Sequence, residues 1–154
     1  MPPSTAPSVA RNYDALRPNI LERLIEVRAT LDSSLGRVDE ASARAQIDAV
    51  LERIGNFIAT GDLGLYRAFL HTFMAMRAGE AQSPGAVLAM LVAIGDTAAQ
   101  VAQDGGDTEL ALMLTRVTAS TARAVNDLIA EELERRTEQL AELRTKEQAA
   151  LEPV

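Results

Sequence analysis

The sequence predicts an all-α protein, a bundle of five to six helices whose last member runs on as a long C-terminal linker helix. Three observations carry that prediction. Apolar residues recur at spacings of three and four through most of the chain. Asp or Ser precedes most of these stripes, and Gly or Pro punctuates the gaps between them. No run alternates β-branched or aromatic residues with polar ones between turn signals, so no strand competes.

The elements follow in order. Residues 1–12 hold three prolines with serines and a threonine, show no period, and read as a mobile N-terminal tail. Pro18 suits a first helical position. Ile20, Leu24, Val27, Leu31 and Leu35 then form one stripe, which Gly36 closes as a left-handed cap. Asp39 reads as the N-cap of a second helix with Ala43, Ile47, Val50, Ile54 and Phe57 inward and Gly61 at its end. Asp62 opens a third, with Leu63, Tyr66, Leu70 and Phe73, stopping at Gly79. Ser83-Pro84 starts a fourth, and Val87, Leu91, Ile94, Ala98 and Val101 carry it to the Gly105-Gly106 break. Asp107 opens the fifth, with Leu110, Met113, Leu114, Val117, Thr121, Ala124, Val125 and Leu128 inward. Gly55, Gly95, Ala98, Ala99, Ala119 and Ala122 are small residues within apolar helices, as close helix crossings require.

The fifth helix has no glycine or proline from Thr108 to Glu152, so it can run about 60 Å at 1.5 Å per residue. Its composition changes midway, which divides the chain into a helical body over residues 13–130 and a stalk over 131–154. From Glu131 the residues are mostly Glu, Arg, Gln and Ala, with Leu133, Leu140 and Leu143 remaining. A lone helix this polar has little reason to be ordered. Pairing with a second copy in a short parallel coiled coil would bury Leu128, Leu133, Leu140 and Leu143, although Asn126, Arg136 and Glu147 also fall at seam positions.

Length and composition narrow the function by exclusion. The 154 residues are about one domain, large enough to bury a real core. No cysteine is present, which removes disulfides, thiolate metal sites and cysteine nucleophiles. A net charge of −7, with the largest acidic excess after Asp107, argues against a nucleic-acid partner. No stretch approaches a membrane span and the first residues lack a secretory apolar region, so the expected location is cytoplasmic, with no membrane partner.

No catalytic or metal-binding constellation stands out, so the expectation is a non-enzyme. His71 is the single histidine, set among Phe69, Leu70, Phe73 and Met74. One histidine cannot build a typical zinc site, and no G-x-S-x-G, G-x-G-x-x-G or P-loop pattern occurs. The acidic run Glu131, Glu132, Glu134 and Glu138 reads as a solvated helix face. An all-helical chain of this size is globin-sized, but a globin ligates iron through a histidine late in its fold. Here the fourth helix offers only Met90, so haem is not expected and no other cofactor is implied. The hydroxyls of Thr115, Thr118 and Thr121, with His71, are the candidates for lining a small pocket between helices. The alternative for the threonines is bonding to the carbonyl four residues back.

A helical body feeding without a break into Glu131-Glu-Leu-Glu-Arg-Arg-Thr-Glu-Gln-Leu-Ala-Glu-Leu-Arg144, and ending in Leu151-Glu-Pro-Val154, resembles the N-terminal sensor domain of RsbR-type stressosome proteins. The resemblance implies a non-haem, globin-like bundle that forms homodimers. It also implies a linker running into a STAS domain, with STAS-domain scaffold proteins and a serine/threonine kinase as partners in relaying a stress signal. Linker threonines are phosphorylated in some members of that family, and Thr137 and Thr145 occupy the linker here. The competing expectation is a structural oligomerisation or scaffold domain with no ligand.

Overall fold

The structure, a computed structural model, describes residues 5–31 and 33–152. Among these it is all helical, with no strand: α1 (Thr5–Glu26), α2 (Arg28–Leu31), α3 (Ser33–Arg37), α4 (Glu40–Thr60), α5 (Leu63–Gly79), α6 (Pro84–Asp104) and α7 (Thr108–Leu151). The all-α bundle with a long last helix is therefore the observed architecture.

The N-terminal third departs from the expected boundaries. Residues 5–12 are helical, and α1 runs through Pro18 instead of starting there. Val9 and Tyr13 are buried and continue the apolar stripe upstream, so burial holds this segment in the helix. Pro18 forfeits one backbone bond to the Asp14 carbonyl, a cost of about 3 kcal/mol in a helix interior that the α1 core contacts must offset. The first four residues of the expected tail lie outside the described residues. At the other end, the chain leaves α1 at Val27 and resumes as the short α2 and α3. Gly36 sits inside α3 and is not a left-handed cap. Its lack of a side chain has another use, since a Cβ there would stand 3.1 Å from that of Ala29.

The later boundaries follow local chemistry closely. Asp39, Asp62, Ser83 and Asp107 each accept a hydrogen bond from the backbone N–H three residues on, satisfying one orphan donor of the helix each begins. The bond from Ser42 holds the Asp39 carboxyl below its ordinary value. Gly61 (φ 67°) ends α4 in the left-handed region, its N–H donating to the Phe57 carbonyl at 2.8 Å. Gly106 (φ 82°) does the same after α6, with Asp107 N–H reaching back to the Ala102 carbonyl. The α5–α6 turn closes with two backbone bonds, Ala81 N–H to the Ala78 carbonyl and Gln82 N–H to the Arg77 carbonyl, yet its left-handed residue is Ala81 (φ 62°).

The core lies where α1, α4, α6 and α7 meet. The α6–α7 hairpin has the most extensive contact, and α1 packs across α4 and α6. Two glycines set the closest crossings. A Cβ on Gly95 would fall 2.0 Å from Thr118 Oγ1, and one on Gly55 would fall 2.9 Å from the Tyr13 ring. The Tyr13 hydroxyl donates to the Leu51 carbonyl at 2.5 Å, tying α1 to α4. Contrary to the sequence expectation, α6 has the length and mean hydropathy (1.6) of a membrane span, a test that core helices of folded domains also pass. Here it buries Val87, Met90, Leu91, Ile94, Ala98 and Ala102 within the bundle.

Candidate functional site

The feature most exposed to a partner is the outer part of α7. Up to Leu128, one face of this helix is buried in the core, and Leu128 itself is only 8% exposed. Beyond Glu132 every described residue is exposed. Leu133, Leu140 and Leu143 each show more than half of their surface to solvent. The four leucines expected to act together therefore divide, with Leu128 belonging to the body and the other three to the stalk.

A clasp marks the root of that stalk. Arg67 on α5 bonds Glu131 and reaches Asp127 at 3.7 Å, so one guanidinium ties α5 to α7 where the apolar face ends. Beside it, Gly64, Ala68, His71, Thr72 and Leu128 line a shallow cleft of ≈ 490 Å³, open to solvent. Of the acidic run proposed as a solvated face, Glu131 is engaged by Arg67, and Glu132 pairs with Arg135 and Arg136 on its own helix. Thr137 and Thr145 are exposed, and each hydroxyl bonds the carbonyl four residues back.

The candidate pocket residues do not converge. His71 is exposed on the outside of α5, next to the clasp. Thr115 is exposed and donates to the Ala111 carbonyl at 2.9 Å. Thr118 faces Gly95 and donates to the Leu114 carbonyl. Only Thr121 is fully buried, with its hydroxyl 2.7 Å from that of Tyr66 and 2.8 Å from the Val117 carbonyl. Burial raises the Tyr66 phenol above its ordinary value, the Thr121 bond partly opposing this. The threonines thus serve packing and back-bonding, the alternative weighed for them.

A wider cleft of ≈ 600 Å³ lies between α1–α2 and α6, with Arg23, Val27, Leu31, Asp96 and Gln100 among its walls, and it too is open. Among the described residues no three His, Asp or Glu side chains come together to hold a metal ion.

The sequence reading passed over one buried charge. Arg77 is 4% exposed, on the same face of α5 as Tyr66, Leu70 and Phe73, which a spacing of four, three and four could have revealed. Its guanidinium stacks on the Phe73 ring at 5.4 Å, pairs with Glu80 at 3.0 Å and touches the Met90 sulfur, while Nε has no hydrogen-bond partner. It fastens the end of α5 beneath α6. No protein-family model, curated protein or solved structure matches this chain.

Proposed function

We propose that this chain is a non-enzymatic signalling module, similar in plan to RsbR-type sensor domains. In this reading its body dimerises through the outer half of α7, and that helix delivers changes in the body to a downstream domain of STAS type. The observation that carries the proposal is one unbroken 44-residue helix with two environments, a face buried in the body and four exposed leucines beyond it, Leu133, Leu140, Leu143 and Leu151. A helix continuous across that junction cannot shift in the body without displacing the stalk. The signal needs only a differential effect on two arrangements of the pair. A coupling of about 1–3 kcal/mol changes populations roughly 5–150-fold.

A scaffold without switching is the second reading, favoured by the openness of both clefts at the surface. Clamping separates the two. Because the chain lacks cysteine, Leu140→Cys supplies a single thiol, and oxidation would lock a paired stalk. In a relay, locking changes amide hydrogen exchange around Arg67, Asp127 and Glu131. Unchanged exchange in the body would favour the scaffold, and a monomer by light scattering at working concentration would end both versions of the stalk pairing.

A further inference from the structure

The cleft of ≈ 600 Å³ between the α1–α2 elbow and α6 has the size of a small-ligand site, and its walls differ in chemistry. Its floor is apolar, formed by the half-buried Val27 and Leu31 at the elbow and by Ala93 and Val101 on α6. Its rim on α6 is acidic, with Asp96 and Asp104 both exposed. Among the described residues neither carboxylate has an ion pair. Asp96 makes no side-chain hydrogen bond, and Asp104 accepts only from the neutral Gln100 amide, at 2.8 Å. Arg23, the cation in the walls, is already paired with Glu26 at 3.2 Å. Asp104 is also the last residue of α6, where the helix dipole places partial negative charge, and no basic side chain occupies that last turn. The cleft beside the clasp is the opposite case, since Arg67 there engages both Asp127 and Glu131.

We infer that this cleft binds a linear polyamine, laid along α6 with ammonium groups at Asp96 and Asp104 and its methylene chain over the apolar floor. Charge complementarity selects the class. Two unpaired carboxylates and a bare helix C-terminus favour a cation, and Val27, Leu31, Ala93 and Val101 favour one with an apolar stem. Spacing selects the length. Eight residues separate the aspartates, about 12 Å along the helix at 1.5 Å per residue. A single metal ion cannot bridge that gap, and the short diamine putrescine falls short of it, whereas the triamine spermidine spans it. Gln100 lies midway between the two aspartates on α6. Its amide N–H is given to Asp104, which leaves its side-chain oxygen to accept from the middle ammonium. The openness of the cleft suits an extended chain lying along it. No pairing of stalks enters this site, so it goes beyond the relay reading and stands or falls apart from it.

Calorimetric titration of the full chain with spermidine tests the site. One equivalent should bind, with putrescine roughly tenfold weaker because it reaches one carboxylate at a time. Asp96→Asn and Asp104→Asn together change two exposed side chains and should weaken spermidine roughly tenfold with unchanged helicity. The control pair Glu138→Gln and Glu142→Gln removes the same charge from the stalk and should leave binding as it was. Equal losses from both pairs would reduce the effect to attraction by the chain's net charge of −7 and overturn the site. Putrescine binding as tightly as spermidine would refute the two-carboxylate span. Backbone amide NMR shifts give an independent reading on the unaltered chain. They should gather in residues 27–31 and 93–104, and shifts confined to the stalk, or none at millimolar spermidine, would refute the proposal outright.

Discussion

The inner and outer parts of α7 share one backbone geometry but hold it for different reasons. From Thr108 to Leu128, the helix exists because one of its faces is buried against the rest of the bundle. Beyond Glu132, it is exposed and packs on no other helix among the described residues, resting on helix-favouring Glu, Arg, Gln and Ala with local pairs such as Glu132 to Arg136 at 3.1 Å. Each such exposed pair contributes only about 0.2–0.5 kcal/mol, so the outer part is marginal as an isolated helix. Regular secondary structure thus says little about why a segment is ordered, and the Arg67 clasp stands where one reason gives way to the other.

Mutations that act in only one of the two parts sharpen the contrast. Leu114→Ala removes a buried side chain from the inner part and should destabilise the body by about 3 kcal/mol in urea unfolding. Leu140→Ala should leave body stability within about 0.5 kcal/mol and weaken self-association instead. An equal loss of stability from both would abolish the distinction. Gly95→Ala drives a methyl group into Thr118 and should cost about 2 kcal/mol despite the better helix propensity of alanine, with Thr118→Ala restoring much of it. Thr121→Val strands the buried Tyr66 hydroxyl and should cost about 1–2 kcal/mol, whereas Thr137→Val in the stalk should be near neutral by thermal unfolding. Ala81→Gly relieves a left-handed alanine and should stabilise the body by about 0.5 kcal/mol, leaving self-association alone. A further difference between the two parts emerges only at alkaline pH. Burial raises the phenols of Tyr13 and Tyr66 in the body, while the outer part of α7 contains no tyrosine. Above about pH 10 the unfolded chain loses protons that the folded chain retains, so stability present below pH 10 falls as pH rises. Tyr13→Phe should flatten part of that decline in thermal melts between pH 9 and 11.

Much of the fold was legible where a boundary depends on its own few residues. Asp39, Asp62, Ser83 and Asp107 cap helices because a short polar side chain can reach the N–H three residues ahead, whatever surrounds it. Gly61 and Gly106 turn left because they lack a Cβ. Where local preference met burial, local preference lost. Pro18 looked like a beginning and lies mid-helix, and Gly36 looked like an end and marks a close approach to Ala29. The candidate site was legible only in part. The exposed leucines were visible as a pattern, but Leu128 could not be separated from them, since all four share an apolar character and differ only in what lies opposite. His71 and the threonines were grouped by chemistry, and the packing disperses them.

By itself the sequence determined the helical class, the caps and the unbroken length of α7, because these depend on residues within a few positions of one another. Tertiary structure alone decided which stretch of α7 is core and which is free, that α1 begins before its proline, and that a lone arginine at position 77 is enclosed. Burial is a property of what other parts of the chain bring alongside a residue, and no periodicity in one helix specifies its neighbours.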